Sequence, residues 1–269
     1  MINDAKFEAL KKFIGQYESA VIAFSGGVDS TFLACVAQEV LKNKVFLVTA
    51  TSSTYPFYEL DEAKETAAFL KAPHRVIVSE EIDIPGFSNN PPDRCYYCKS
   101  ELFIKIKHIA QQENFAVVFE GSNADDLKDY RPGMKAVSEL GIISPLRQAD
   151  LTKAEIRALS LQLGLPTSNK PAYACLASRF PYGEQITKEK LDRVGKTEYE
   201  IRSLGFGQFR VRSHETLARL EFAPDEMDKA WQMKDKLNEI CKKSGFTFCS
   251  IDLSGYRTGA MNEMLNLEK

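Results

Sequence analysis

A chain of 269 residues has room for about two domains of ordinary size, and 44% hydrophobic residues give ample apolar material for packed cores. Thirty-five Lys and Arg stand against 37 Asp and Glu, a net charge of −2, so no overall basic field argues for a grip on long nucleic acid. No uncharged apolar run approaches the roughly 18 residues of a membrane span, and six irregularly spaced cysteines are poor disulfide material; the expectation is a cytoplasmic protein whose thiols serve metal or sulfur chemistry.

The first 20 residues mix charges with apolar residues at helical spacing. Val21 to Phe24 then reads as a strand, Ser30 to Leu41 as a helix, Lys44 to Ala50 as a strand, Glu59 to Lys71 as a helix and His74 to Val78 as a strand. A polar, proline-rich loop follows, then a helix from about Ser100 to Asn114 and the strand Ala116 to Phe119. Such alternation implies an α/β domain with a mostly parallel sheet. In DLTKAEIRALSLQLGLP, Thr152 and Glu155 form a capping-box pattern, and Gly164 and Pro166 mark a helix end that closes the first domain, 1–168. The stretch 169–185, with two prolines and little periodicity, is a linker loop. From 186 to 269 a smaller α+β domain is expected: a helix from Ile186 to Leu204, a hairpin of Phe209 to His214 with Leu217 to Phe222, a helix from Asp225 to Lys243 with Trp231 packed on the small sheet, and a strand from Phe246 to Leu253.

Two polar turns, SGGVDS after the first strand and EGSNADD after Phe119, fall at strand carboxyl ends, where ligands of parallel sheets bind. Gly26 and Gly27 let the backbone turn tightly and bring its N–H groups to an anion, with more donors from the helix that starts near Ser30. Ser25 and Ser30 add hydroxyls, and Asp29 caps the helix or holds a metal. The lysine that a P-loop carries is missing, which suits chemistry at the α-phosphate better than transfer of the terminal one. A plain glycine turn with a capped helix is the alternative for SGG alone.

Cys95 and Cys98 form a CxxC in a loop running into a helix, and Cys175 sits in the linker. Half a zinc site, a redox pair and coincidence all remain open for the CxxC, although no histidine has ligand-like spacing to it. Three thiolates on a 4Fe-4S cluster would leave one iron without a protein ligand. Arg94 and Lys99 beside the pair favour thiolate. Cys35, Cys241 and Cys249 read as core filling.

SGGVDS after VIAF resembles the pyrophosphate-loop (PP-loop) signature of the ATP pyrophosphatases. That loop, the run EGSNADDLKDYRPG, SRFPYG after Cys175, RVRSH, and LSGYRTGAMN together resemble the LarE family of ATP-dependent sulfur transferases along nearly the whole chain. The resemblance implies a Rossmann-like, adenine nucleotide alpha hydrolase-like PP-loop domain. It implies binding of ATP by Ser25, Gly26, Gly27, Asp29, Ser30 and Gly121. Read from the residues, Lys99 beside the cysteine pair is a contact to the nucleotide or a plain surface charge, and Asp125 and Asp126, supplemented by Asp29, are candidates for Mg2+, with Asp125 the choice. The resemblance also implies adenylation of the carboxylates of pyridinium-3,5-biscarboxylic acid mononucleotide and their conversion to thiocarboxylates for the nickel-pincer nucleotide of lactate racemase. Members with three cysteines at the positions of Cys95, Cys98 and Cys175 hold a 4Fe-4S cluster that delivers sulfide; others sacrifice a cysteine matching Cys175. The CxxC places this sequence with the cluster type. A sulfide donor, a homo-oligomeric assembly and the other proteins of nickel-pincer nucleotide synthesis are the implied partners.

Strand period puts Arg210, Arg212 and His214 on one face, opposite Phe209 and Val211. Read from the residues, this is a solvated face paired with Arg219 and Glu221; the resemblance makes Arg210 and Arg212 binders of the substrate phosphate. Arg179, flanking the cysteine loop, is a further contact to AMP or substrate phosphate or, equally, a surface charge. Glu198 and Glu221 match positions where a general acid or base assists sulfur transfer, whereas their polarity reads as solvent-facing. Asp125 and Asp126 also suit a plain turn. Tyr130, Arg131 and Gly133 are expected to shape the cleft. The competing functions are a tRNA thiolation enzyme, which should show a basic second domain, a regulatory module that binds AMP without turnover, and an ammonia-using synthetase, which would give the cysteines no role.

Overall fold

The structure, a computed structural model, describes residues 5–128, 132–257 and 259–260, and for Leu127 and Lys128 the backbone alone. Tyr130 and Arg131, and Thr258, Met261 and Asn262 of the last motif, lie outside the described residues. The chain divides into two compact units, 1–80 with 93–173, and 81–92 with 174–269.

In the first unit the elements run α1 (Ala5–Ile14), β1 (Ala20–Ala23), α2 (Val28–Leu41), β2 (Val45–Thr51), α3 (Phe57–Phe69), β3 (His74–Val78), α4 (Arg94–Gln112), β4 (Val117–Phe119), α5 (Gly133–Glu139), α6 (Pro145–Gln148) and α7 (Lys153–Gln162). The sheet order is β3-β2-β1-β4, all parallel, as the α/β alternation implies. Alternate residues of β1 explain why both faces are covered. Ala20 and Ile22 face a core built with Phe7, Leu10, Phe32, Leu33, Ile156 and Leu159, while Val21 faces Phe103, Ile106, Ile109 and Val137. From β1 the chain steps outward to β2 and β3, then returns to place β4 on the other side of β1. The order therefore reverses between β1 and β4, and the turns leaving these two strands flank the crevice where parallel sheets take ligands.

The capping box at α7 is present: Thr152 Oγ1 accepts from Glu155 N, and Glu155 accepts from Thr152 N at 2.8 Å. One boundary differs with consequence. Helix α4 begins at Arg94, not near Ser100, so Cys95 and Cys98 stand on its first two turns and not in a loop. The buried Arg94, 4% exposed, gives the helix start an anchor that a polar reading of PPDRCYYC passes over.

In the second unit, α8 (Lys188–Ser203) precedes the antiparallel pair β5 (Phe209–His214) and β6 (Leu217–Phe222), then α9 (Met227–Gln232), α10 (Lys234–Lys243) and β7 (Phe248–Ile251), which pairs parallel to β6. The helix expected over Asp225–Lys243 is broken at Met233 (φ −99°, ψ 14°), and Trp231 is 66% exposed, so it does not pack on the sheet as expected. Segment 81–92 joins this unit through Asn90. Its Nδ2 donates to the carbonyls of Phe180 (3.2 Å) and Pro181 (2.6 Å), and its own carbonyl accepts from Gly183 N. No helix among the described residues is long and apolar enough to cross a membrane.

Candidate active site

The SGGVDS loop leaves β1 and enters α2 through Gly27, the N-cap of that helix. Gly26 has φ +65°, and a Cβ there would lie 2.6 Å from Ala63 Cα, so the loop runs flush against α3 and admits no side chain. The two hydroxyls of the loop meet, Ser25 Oγ to Ser30 Oγ at 3.1 Å, while Gly27 N donates to Ser25 Oγ and Ser30 Oγ to the Gly27 carbonyl. Ser25 is exposed and Ser30 buried, so the cradle opens at Ser25.

The second polar turn lies directly on the first. A Cβ on Gly121 would come 3.2 Å from Ser30 N and 3.4 Å from Asp29 Cβ. Asn123 Nδ2 donates to Asp29 Oδ1 at 3.3 Å. Asp125 Oδ2 accepts from Lys153 N at the start of α7, and Asp126 Oδ2 accepts from Asn123 N, so both carboxylates also serve the turn and the helix end. Within either unit, the described residues include no group of three His, Cys, Asp or Glu side chains placed to hold a metal ion.

Several residues at this site carried no signal in the sequence. Tyr55 Oη donates to the Ser25 carbonyl at 2.9 Å; burial, then Glu59 and Glu62, push its hydroxyl well above the usual range for tyrosine, so it stays a proton donor to the loop. Lys170 pairs with Glu59 and Glu62, each at 2.8 Å, and donates to the Gly26 carbonyl at 3.3 Å. Lys153 Nζ pairs with the Asp29 carboxylate. Glu120, 5% exposed at the end of β4, accepts from Ser122 N and Oγ and from Ser144 Oγ, and lies 3.7 Å from Lys99 Nζ.

Lys99 belongs to α4, which crosses back from the carboxyl edge of the sheet to the start of β4, so its N-terminal turn lies at the edge where SGGVDS lies. Gly133 permits this: a Cβ there would sit 2.7 Å from Lys99 Cδ and 3.2 Å from the Cys95 carbonyl. Cys95 is exposed and Cys98 half-buried; three residues apart on a helix, the two thiols share one side of it, a donor set that suits two ligands of an iron–sulfur cluster. None of the six cysteines is in a disulfide.

In the second unit the residues expected to hold an anion form a buried charged group, not a solvated face. Cys175 is half-buried and precedes the 3-10 turn Leu176–Arg179. Arg179 is fully buried; its Nε and Nη2 grip Glu198 at 2.8 and 2.9 Å, and its Nη1 donates to the carbonyls of Ala174 (2.9 Å) and Cys175 (3.3 Å). Arg212 grips Glu221 in the same two-pronged way at 3.0 and 2.9 Å and donates to the Ser178 carbonyl. Arg219 also reaches Glu221 at 3.1 Å, and Arg210 lies over the Tyr256 ring at 4.9 Å. Neither Glu198 nor Glu221 faces solvent, at 2% and 1% exposed. Burial alone would push the Glu198 carboxyl up, but Arg179, the Val211 N–H and Arg210 outweigh it and hold the group below the usual carboxylate range. Strand periodicity placed Arg210 and Arg212 on one face and hairpin pairing set Glu221 against it; the burial of that face beside Arg179 and Glu198 was decided by packing. Cys249, read as core filling, is half-buried and lines a cavity of about 420 Å3 with Trp231 and Leu253.

A family model described as asparagine synthase matches residues 14–128. Over 249 residues the chain is 36% identical to pyridinium-3,5-bisthiocarboxylic acid mononucleotide synthase of Lactiplantibacillus plantarum, covering 92% of this chain and 90% of that protein. The chain belongs to the LarE family. As a LarE-family protein it is an ATP-dependent enzyme on a PP-loop α/β fold. It is also 42% identical over 264 residues, 97% of this chain and 98% of the relative, to an uncharacterized protein of Synechocystis. The likeness to a polypeptide of the glutamine-hydrolyzing GMP synthase of Thermoplasma volcanium is narrower, 31% over 194 residues, covering 64% of this chain and 60% of that one.

Proposed function

We propose that this LarE-family enzyme adenylates the carboxylates of pyridinium-3,5-biscarboxylic acid mononucleotide and converts them to thiocarboxylates for nickel-pincer nucleotide synthesis. The observation that carries the reading is that a thiol pair and a nucleotide loop share the carboxyl edge of one sheet, tied through the Lys99–Glu120 contact. Ser25, the Gly27 amide and the first turn of α2 receive the ATP phosphates, and Asp29, with Asp125 nearby, supplies carboxylates for Mg2+. The substrate carboxylate attacks the α-phosphate, the acyl-adenylate forms, and pyrophosphate leaves. A sulfur nucleophile then attacks the acyl carbon; the C–O bond to AMP breaks and a thiocarboxylate remains.

Cys95, Cys98 and Cys175 are the residues that would hold a 4Fe-4S cluster, and such a group supplies an iron without a protein ligand on which sulfide can bind. Arg179 fixes the backbone of Cys175 through two carbonyl bonds, and Glu198 holds Arg179. In this reading Glu198 and Glu221 are positioning residues: each carboxylate is engaged by arginine, and the lowered pKa of Glu198 makes it a poor proton donor near neutral pH. Arg210 and Arg212 supply the positive field for the substrate phosphate.

Anaerobic purification with iron and acid-labile sulfide assays, on wild type and Cys175→Ala, tests the sulfur route, and release of AMP and pyrophosphate on adding ATP and the biscarboxylate tests the reaction. About four irons and four sulfides per chain, lost in the variant, are expected. A metal-free protein whose mass falls by one hydrogen sulfide after turnover would replace the cluster route by sacrifice of Cys175. No pyrophosphate release in the presence of substrate would remove the reading altogether.

A further inference from the structure

Two cysteines that take no part in the chemistry assigned above, Cys241 and Cys249, stand together in the second unit. The turn that joins α10 to β7 puts them there. Helix α10 ends at Lys243, and Gly245 follows with φ +93°, the left-handed conformation that closes such a helix end. Gly245 N donates to the Lys242 carbonyl and Phe246 N to the Cys241 carbonyl, each at 3.0 Å, so the chain folds back over Cys241 before it enters β7.

Side-chain period then turns the two thiols toward each other. Leu237, Ile240 and Cys241 form the buried stripe of α10. On β7, Phe248 is 62% exposed, so Cys249 and Ile251 point to the opposite side of the sheet. That side is where α10 packs: Cys249 and Ile251 line the cavity of about 420 Å3 together with Leu237 and Asn238. Cys241, one turn on from Leu237, is fully buried, and its thiol donates to the Cys249 sulfur. This bond, with Lys242 nearby, outweighs burial and holds the Cys249 thiol below its ordinary value, while the same bond and burial push Cys241 up. Core filling accounts for Cys241 but not for a partner sulfur that is half-buried on a cavity wall. Among the described residues, none of those given to nucleotide, substrate or sulfur transfer lines this cavity.

We propose that Cys249 and Cys241 form a dithiol modification site for a small-molecule disulfide, Cys249 capturing a thiol group from it and Cys241 resolving the adduct. The Cys249 thiolate attacks one sulfur of R–S–S–R; the Cys249–S–R bond forms and an R–S⁻ thiolate leaves, taking up the proton that Cys249 gave up. Cys241 then gives its proton to solvent and attacks the Cys249 sulfur; the Cys241–Cys249 bond forms and the second R–S⁻ leaves and is protonated. Two protein thiols are oxidised and one disulfide is reduced to two R–SH, with the resulting link tying α10 to the edge strand β7.

Exposure of the full chain to glutathione disulfide at neutral pH, followed by alkylation, trypsin and mass spectrometry, tests this in wild type, Cys241→Ser and Cys249→Ser. The sites separate cleanly, since Cys241 falls in the tryptic peptide 237–242 and Cys249 in 244–257. Wild type is expected to yield these two peptides joined by a disulfide, Cys241→Ser to keep glutathione on Cys249, and Cys249→Ser to carry neither the link nor glutathione on Cys241. Capture at Cys249 should outrun capture at Cys35, whose thiol burial pushes up, by about tenfold or more. Cys249 left unmodified in Cys241→Ser, glutathione retained on wild-type Cys249 with no link, or first capture at Cys241 would overturn the proposal, as would equal rates at Cys249 and Cys35 or a link that forms only in urea. Should either serine variant lose its thermal transition, the alanine variant at that position is judged by the same criterion.

Discussion

Arg179 and Glu198 form a two-pronged ion pair with no solvent contact on the guanidinium, at 2.8 and 2.9 Å, and the same arginine holds the backbone before the 3-10 turn that follows Cys175. Removing one partner strands a buried charge. Glu198→Gln or Arg179→Met is therefore expected to cost about 3–5 kcal/mol in urea denaturation, and the double replacement Arg179→Met with Glu198→Leu to cost less than either alone. Additive losses in the double variant would show that the pair is not coupled.

The same pair has a pH signature. The Glu198 carboxyl is held below its unfolded value, so the stability it contributes is complete above the ordinary carboxylate range and is lost as pH falls through the depressed folded value. Denaturation midpoints measured from neutral to acid pH should fall in wild type and fall less steeply in Glu198→Gln. Parallel curves would contradict the assignment.

Gly26 and Gly27 are adjacent but not equivalent. An added Cβ at Gly26 meets Ala63 Cα at 2.6 Å with φ at +65°, whereas at Gly27 it meets the Ser25 hydroxyl at 3.3 Å. Gly26→Ala is expected to destabilise by about 1–3 kcal/mol or more, and Gly27→Ala by clearly less. Chemical denaturation of the two variants reads the difference; equal losses would mean that α3 yields to the loop.

His74 offers a local probe of the loop's support. Thr49 Oγ1 donates to the Phe24 carbonyl at 2.7 Å and lies 2.8 Å from His74 Nε2, so the ring nitrogen is the donor and the neutral ring carries its proton on Nε2. Burial, with Lys64, lowers its pKa. An NMR titration should give a midpoint below the ordinary value of about 6.5, with stability falling as pH drops below that value because the unfolded chain takes the proton first. A midpoint above it, or the Nδ1–H tautomer, would count against the arrangement.

Thiol reactivity should follow burial. In metal-free protein, alkylation mapped by mass spectrometry is expected at exposed Cys95 first, with Cys35 and Cys241 last: burial and Glu39 push the Cys35 thiol up, and the bond to Cys249 and burial do so for Cys241. Cys241 reacting as fast as Cys95 would refute this order.

The strands around SGGVDS, the hairpin from Phe209 to Phe222 and the capping box were legible in the sequence, because period two, a glycine with positive φ and a cap three residues from its acid are local requirements. The break at Met233 was not, since no glycine or proline marks it; and the start of α4 was read about six residues late although Pro91, Pro92 and the N-cap residue Asp93 stand just before it, because the polar run that follows shows little apolar periodicity. Nor could local pattern show that Arg179, Arg212, Glu198 and Glu221 are buried: a charged side chain reads as solvated until its partner is known. Lys170 meets the Gly26 carbonyl across 144 positions of sequence, and Lys153 meets Asp29 across 124. The sequence by itself determined the loop and the sheet that presents it, through backbone conformation and hydrophobic period. Which cations stand at that loop was decided by the tertiary structure alone, because an ion pair depends on distance and burial in space, and neither leaves a trace in sequence spacing.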